Sequence, residues 1–380
     1  MSKLDELIEK LCPNGVQRYI LKDICSFQNG FAFKSILFKN QGEKILRITN
    51  INDGNITDKN CVYFNVSDYK EDLTSYKVTK GDIVIAMSGA TTGKIGCNYS
   101  DSTYYLNQRV GLFRPNEKIL HKRYLYHWLL SKTNEIYNIS SDTGAQENLS
   151  SLKMMNFKIP VPPLEIQNEI VYILDKFTAL LAELKAELKA RKKQYAYYRD
   201  MFVNKEKNKC LIEVLKIRHG KDYKAFEKGN IPVYGSGGII AYTSKFAYDK
   251  PSVLIPRKGS LNKLYYVEEP FWNVDTIFYT EIDETIAIPK YVFYCLENEH
   301  LEELNIAGGV PSLTQSTLNN VKIFIPDLDE QRKIIDNLDK LYYLINSLTE
   351  GIPAEIEARQ KQYEYYRDKL LTFKELGSNK

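Results

Sequence analysis

An octapeptide of mixed aromatic and charged residues occurs twice in this 380-residue chain, as KQYAYYRD at Lys193–Asp200 and KQYEYYRD at Lys361–Asp368. Seven of the eight positions coincide, and the offset is 168 (361 − 193). The duplication extends upstream. With Gln167 placed under Gln331, an offset of 164, IQNEIVYILDKF (Ile166–Phe177) lies over EQRKIIDNLDKL (Glu330–Leu341). FKIPVPPL (Phe157–Leu164) then lies over VKIFIPDL (Val321–Leu328). The second copy therefore carries four more residues (168 − 164), near Gly351–Ala354. A repeat on this scale outranks any local motif as a guide to architecture.

Each copy has helical periodicity. In the first, Ile170, Leu174, Phe177, Leu181, Leu184 and Leu188 are spaced four and three apart, and the series continues to Tyr195, Tyr198 and Phe202. That is a heptad seam, and it predicts one helix of 39 residues from Leu164 to Phe202. Globular helices average about 11–12 residues, so an ordinary core helix is a poor explanation. The second seam runs Ile334, Leu338, Leu341, Ile345, Leu348, Ile352, Ile356, Arg359, Tyr363, Tyr366. Two successive four-residue steps from Leu348 to Ile356 form a stutter, and Pro353 falls inside it, so a kink or local break is expected there. Pro162-Pro163 and Pro326 mark the two helix starts. The two helices are expected to pack on each other.

The segment before each helix has a different character. KILRITNI (Lys44–Ile51), GDIVIAM (Gly81–Met87), SVLIP (Ser252–Pro256) and TIFYT (Thr276–Thr280) read as strands. Asp53-Gly54, Gly235-Ser236-Gly237-Gly238 and Gly308-Gly309 read as turns. Short helices are expected over His121–Ser131 and Pro289–Glu297. The class is α+β. Two mixed α/β domains, 1–160 and 204–326, alternate with two long helices, 161–203 and 327–373, followed by a tail at 374–380. The helices are kept alike while the domains diverge.

Composition excludes some function classes. No apolar run approaches the ~18–20 residues that span a bilayer, and MSKLDELIEKL lacks the apolar stretch of a signal peptide. A cytoplasmic location without membrane attachment is expected. The six cysteines are dispersed and form no CxxC pair, and the four histidines have no ligand spacing, so no metal site is expected. SGATTGKIG (Ser88–Gly96) imitates a phosphate-binding loop. However, it has three residues rather than four between Gly89 and Gly93, and Ile95 replaces the magnesium-binding hydroxyl. The Asn/Asp-Pro-Pro-aromatic loop of an adenine methyltransferase is absent, since Pro162-Pro163 lies between Val161 and Leu164. Glu183, Glu187 and Lys185 fit solvent-face helix pairs better than a nuclease centre. No catalytic residue is assigned. Net charge is only +4, yet Val203–Pro270 has 13 Lys/Arg against 7 Asp/Glu, a balance that suits phosphate.

IPVPPLEIQNEI, the two octapeptides, NGFAFKS (Asn29–Ser35), GDIVIAMSGATTGKIG (Gly81–Gly96) and IPVYGSGG (Ile231–Gly238) occur in an order that resembles the specificity (S) subunits of Type I restriction–modification systems. The resemblance covers Met1 to Phe373. It implies two target-recognition domains joined by an antiparallel coiled coil with pseudo-two-fold symmetry, each domain reading half of an asymmetric bipartite DNA target. It implies a non-catalytic chain whose partners are double-stranded DNA, two methyltransferase (M) subunits and restriction (R) subunits. S-adenosylmethionine, ATP and Mg would be held by those partners, with no cofactor on this chain. The second copy departs at Asp327-Leu328-Asp329, where the first has Pro163-Leu164-Glu165.

Base reading needs Arg or Lys for guanine and Asn or Gln for adenine. Candidates in the first domain are Lys34, Arg47, Asn50, Asn52, Lys94, Asn107, Gln108 and Arg109, with Ser88, Thr91 and Thr92 for phosphate. In the second they are Lys221, Tyr234, Ser236, Arg257, Lys258, Asn262, Lys263 and Asn273. Singly, each is an ordinary turn or cap residue. As sets on matched loops, Gly89–Lys94 and Gly259–Lys263, they gain weight. In the octapeptides, Tyr195, Tyr198, Tyr363 and Tyr366 are expected to anchor the helix ends with their hydroxyls at the rim. Arg199 and Arg367, one step off the seam, are expected to face a partner chain or the opposing helix. The competing reading is a coiled-coil scaffold with two protein-binding domains and no role on DNA.

Overall fold

The structure is a computed structural model that describes residues 2–52, 54–141, 149–305, 312–347 and 349–377. Asp53, Leu348 and the Gly308-Gly309 turn lie outside the described residues. Six helices frame the fold: α1 (Lys3–Leu11), α2 (Lys122–Ser131), α3 (Leu164–Val203), α4 (Pro289–Asn298), α5 (Leu328–Asn346) and α6 (Ile352–Leu370). By its contacts the chain forms two units. The first comprises Met1–Glu183 with Glu357–Lys380, and the second Leu184–Ile356. The chain passes from one to the other within α3.

α3 runs 40 residues without interruption, because nothing from Leu164 to Val203 is Gly or Pro and good helix formers dominate. The seam is its inward face. Ile170, Leu174, Leu181 and Tyr195 are buried, while Phe177, Leu184, Leu188 and Tyr198 are half-buried. In the second unit α3 and α5 run antiparallel. Tyr195 packs on Tyr342 with ring centroids 5.8 Å apart, and Lys205, just past α3, ion-pairs at 2.8 Å with Glu330 in the first turn of α5. α5 buries Ile334, Leu338 and Ile345 and half-buries Leu341. In the first unit Phe177 of α3 stacks on Tyr366 of α6 at 5.5 Å.

The expected second long helix, 327–373, is not continuous. It is divided into two 19-residue helices, α5 and α6, at the stutter. The chain turns so tightly before α6 that a Cβ on Gly351 would lie 2.8 Å from the Leu344 carbonyl oxygen. Only glycine fits that approach. Pro353 follows in the first turn of α6, where its missing N–H costs no hydrogen bond.

The first unit contains a six-stranded sheet in the spatial order Cys25–Asn29, Val110–Pro115, Ile83–Ala86, Ile95–Cys97, Gly54–Ile56, Ile51–Asn52. A four-stranded sheet runs Val62–Phe64, Glu43–Leu46, Tyr104–Leu106, Lys77–Val78. Ile83–Ala86 is buried at every residue, as an unbroken apolar central strand requires. Leu46, Val84, Leu106 and Leu112 form the aliphatic core, and Phe33, Phe64 and Tyr105 an aromatic one. The second unit has a four-stranded sheet, Leu215–His219, Ile277–Ile282, Ser252–Pro256, Tyr265–Val267, and a three-stranded sheet, Gly238–Thr243, Ile231–Gly235, Trp272–Asn273. Its main core joins Tyr195, Ile334 and Leu338 of the helices to Val253, Tyr291 and Leu318. In each unit a short ribbon precedes the long helix: Arg18–Ile20 with Lys158–Pro160, and Lys209–Cys210 with Lys322–Ile323.

Candidate nucleic-acid interface

The repeated residues build the same joint in each unit. Gln167 of α3 is fully buried. Its Oε1 accepts the His121 N–H at 2.9 Å, and its Nε2 donates to the carbonyls of Ile119 (2.8 Å) and Pro162 (2.7 Å). Gln331 of α5 does the same, with the Ile288 N–H at 2.8 Å and the carbonyls of Ile286 (3.0 Å) and Pro326 (2.8 Å). The Tyr124 hydroxyl donates to the Pro160 carbonyl and the Tyr291 hydroxyl to that of Phe324, both at 2.9 Å. Each amide thus spends both donors and an acceptor site on backbone that would otherwise be buried unpaired. These bonds fasten the entrance of α2 or α4 to the start of its long helix.

About two turns further along the long helix, the two joints differ in chemistry. Asp175 of α3 holds Arg123 and His127 of α2, with His127 Nε2 at 2.8 Å and Arg123 Nε at 3.3 Å. Asp339 of α5 instead accepts from the Tyr294 hydroxyl and the Lys290 ammonium of α4. Burial alone would raise the Asp175 pKa, but hydrogen bonds from His127 and Arg123 outweigh it and hold the carboxyl at about 2. Burial pushes the His127 imidazole below its ordinary value, against the pull of Asp175. The octapeptides close the joints. The Tyr363 hydroxyl meets His127 Nδ1 at 2.9 Å, and the Tyr195 hydroxyl bonds Glu297 of α4.

This corrects the expectation for the octapeptide. Tyr195 and Tyr363 are buried with their hydroxyls bonded to α4 and α2, not resting at a rim. Arg199 is spent on the second unit itself, ion-pairing with Glu297 at 2.8 Å, and its side chain is mostly covered. Arg367 is likewise covered, bridging to Asp368 across the Tyr363 ring. Tyr366 stacks on Phe177 and stays partly exposed, while the most exposed aromatics of the octapeptides are Tyr197 and Tyr365, at 66% and 62%. Their recurrence at an off-seam position was the available sequence signal. Gln167, Gln331, Asp175 and Asp339 were equally visible as identities at the 164 offset.

Beyond the joints lie the matched loops. Each leaves a buried strand, Ile83–Ala86 or Ser252–Pro256, and turns at a glycine with positive φ: Gly89 (+83°) and Gly259 (+81°). Leu149 N–H donates to the Met87 carbonyl and Leu313 N–H to that of Arg257, at 2.8 and 2.9 Å. In the first unit Met87 N–H donates to the Arg109 carbonyl, Asn107 N–H to Leu46, and Gln108 N–H to Phe31. Those bonds gather the Gly89 loop, the Asn107–Arg109 turn and the backbone leading to Lys34 and Arg47. Lys34, Lys94, Gln108 and Arg109 are exposed there, and Ser88 and Asn107 half-exposed; Asn52 is exposed on the edge strand, paired with Asn55 level with Cys97 and Ile83, away from the loop.

In the second unit Arg257 and Lys258 N–H groups both approach the Thr276 carbonyl, and Ser236 N–H donates to the Thr276 hydroxyl. Lys221 N–H donates to the Asn273 carbonyl and Val274 N–H to that of Tyr234. Lys221, Lys258, Asn262 and Lys263 are exposed, while Arg257, Tyr234 and Ser236 are half-buried.

Four candidates are withdrawn from such a surface by their burial. Asn50 is fully buried, accepting the Arg47 N–H at 3.0 Å and donating to the carbonyls of Thr57 and Lys59. Asn273 is fully buried and donates to the Ile277 carbonyl at 2.8 Å. Thr92 is buried, its hydroxyl donating to the Gly89 carbonyl at 2.6 Å. Thr91 keeps its hydroxyl oxygen buried. These residues shape the loops from inside. No group of three or more potential metal ligands occurs among the described residues.

The family described as the Type I restriction modification DNA specificity domain matches residues 13–191 and 204–358. A provisionally named type I restriction enzyme specificity subunit of Haemophilus influenzae is 33% identical over 343 residues, 81% of this chain and 86% of the relative. A type I restriction enzyme specificity subunit of Escherichia coli is 33% identical over 301 residues, 66% of this chain and 70% of the relative. The crystal structure of a Type-I restriction-modification S subunit from M. genitalium shares the fold, with TM-score 0.58 and 16% identity, covering 94% of this chain and 96% of that one. The Gln-containing stretches of the duplication, 157–177 and 321–341, fall within the matched residues, the octapeptides lie just beyond them, and the chain belongs to the type I restriction modification DNA specificity family.

Proposed function

We propose that this chain is the DNA-reading subunit of a type I restriction–modification complex, with each unit reading one half of an asymmetric bipartite target. One observation carries the reading: a joint whose glutamine, tyrosine–carbonyl and loop bonds recur in both units holds loops of unlike sequence. The Gln167 and Gln331 bonds, the Tyr124 and Tyr291 bonds and the Leu149 and Leu313 bonds are the same in kind and position. The loops they support carry Ser88-Gly89-Ala90-Thr91-Thr92 in one unit and Lys258-Gly259-Ser260-Leu261-Asn262 in the other. A constant frame with variable tips is what two different half-sites require, since groove edges are read by side-chain donors and acceptors.

The helices set the spacer and dock the methyltransferase subunits. Tyr197 and Tyr365 offer the same outward aromatic in each unit, which suits two copies of one partner. Catalysis resides in those partners, with S-adenosylmethionine on the methyltransferase subunits and ATP and Mg used by restriction subunits. A cytoplasmic setting follows from such a complex; among the described residues no helix is long and apolar enough to cross a membrane.

The test is co-expression with the methyltransferase subunit, followed by genome-wide reading of adenine methylation. The expected result is one bipartite motif with two unlike halves. The isolated chain incubated with labelled S-adenosylmethionine and DNA transfers nothing, and addition of the methyltransferase subunits restores transfer. Methylation without a defined motif, or duplex binding indifferent to salt, would favour a protein-binding scaffold instead.

A further inference from the structure

The second unit carries an apolar edge that neither the core nor the joint uses. Strand Gly238–Thr243 is the outer strand of its three-stranded sheet and pairs with Ile231–Gly235. Val233 faces Ala241 and Tyr234 faces Ile239, so Ile240 has no partner and forms a β-bulge. In a regular strand successive side chains alternate between faces. The bulge breaks that alternation and leaves Ile239 and Ile240 together at the surface, at 49% and 53% exposure. Adjacent exposed isoleucines on a sheet edge invite aggregation unless something covers them.

The surroundings favour a polyanion. The hairpin tip leans on the Gly259 loop: the Tyr265 hydroxyl donates to the Ser236 carbonyl at 3.3 Å, and a Cβ on Gly259 would lie 3.5 Å from the Ser236 hydroxyl. That loop carries Lys258 and Lys263. At the other end of the strand, Ser244 N–H donates to the Glu227 carbonyl at 3.0 Å, which sets Lys228 beside Lys245. Both lysines are exposed and have no ion-pair partner among the described residues. A two-stranded ribbon fits the major groove, where the C5-methyl of thymine is the one apolar feature on offer.

The geometry points to Ile239 and Ile240 as specificity-determining residues that pack on thymine methyl groups in the half-site read by the second unit. The assignment rests on the DNA-reading function proposed above and adds the chemistry of one contact. It is tested with the complex of full chain and methyltransferase subunits, on duplexes carrying the motif found by methylation sequencing. Each thymine in turn is replaced by uracil, which removes only the methyl group. The unaltered complex loses about fourfold in affinity at one or more thymines of one half-site, the weight of a single buried methyl. The Ile239→Ala/Ile240→Ala variant binds thymine and uracil duplexes alike at those positions. Indifference of the unaltered complex to every replacement overturns the assignment, as does equal sensitivity in the variant or a motif with no thymine in either half. Should the variant lose its methyltransferase subunits while thymine discrimination persists, the edge binds protein and the assignment is wrong. Absence of any motif refutes the DNA-reading function itself, and is a separate result seen before the uracil series begins.

Discussion

Asp175→Asn should weaken the chain more than Asp339→Asn, although the two aspartates occupy equivalent places in the repeat. Asp175 faces two nitrogen donors: Arg123, whose side chain is 16% exposed, and His127, which is fully buried. Its pKa of about 2 lies well under the ordinary carboxylate value. Taken whole, that depression is worth about 2.4 kcal/mol. Asp175 is itself 39% exposed, and solvent screening reduces the figure to roughly 1–2 kcal/mol. The neutral amide also leaves the Arg123 guanidinium half-buried without a counter-charge, which raises the expected loss to about 2–4 kcal/mol. Asp339 meets the Tyr294 hydroxyl and Lys290, whose side chain is 29% exposed and can turn to water. Its loss should cost about 1–2 kcal/mol. Urea unfolding of the full chain gives the totals, and hydrogen exchange along Lys122–Ser131 and Pro289–Asn298 locates them. The pH dependence has a definite sign. The folded pKa of Asp175 is depressed, so its contribution is complete above about pH 4 and disappears as pH falls towards 2. Asp175→Asn should lack that acid step. Equal losses at the two sites, or a larger one at Asp339, would refute the assignment of the difference to the buried cation.

The same geometry sets further outcomes. His127 is held below its ordinary pKa by burial, so the unfolded chain takes the proton first and stability of the first unit should decline as pH drops through about 6.5. His127→Gln should reduce that decline in urea titrations between pH 5 and pH 8, leaving the smaller part due to His121, which burial also holds low, and Tyr294 gives the second unit no such step. Replacing Arg257, Lys258 and Lys263 should alter only one half of the methylated motif, by ~1–3 kcal/mol if one of them grips a base bidentately; changes in both halves would mean the units do not read independently. Adding four residues to α3 within Leu181–Leu188 and four to α5 before Asn346 lengthens each by ~6 Å. At 3.4 Å per base pair, methylation should then select a spacer about two base pairs longer, with both half-sites kept. Tyr197→Ala combined with Tyr365→Ala should lower recovery of methyltransferase subunits on co-purification while leaving the urea midpoint of the isolated chain unchanged.

The sequence by itself determined the architecture. Apolar residues at heptad spacing, with no Gly or Pro for 40 residues, leave helix as the one regular structure that buries them on a single face. The coinciding Gln, Asp and Tyr positions marked where each unit is held, although only the glutamines take equivalent partners in both. The stutter with Gly351 and Pro353 foretold a break, but not that a full loop would divide the second helix. What only the tertiary structure decided was the role of individual polar residues. Asn50 and Lys94 look alike as readers in the sequence, yet one amide is consumed by three backbone groups inside the fold and the other side chain stands in solvent. Tyr195 and Tyr197 are two residues apart in one octapeptide, and helix phase sends one into the joint and the other outward. Ile239 and Ile240 are set on the same surface by a single unpaired residue, which depends on the register of the neighbouring strand. Periodicity is local and survives in the sequence. The destination of a donor, an acceptor or a methyl group depends on which distant backbone arrives beside it, and that is settled only when the units fold.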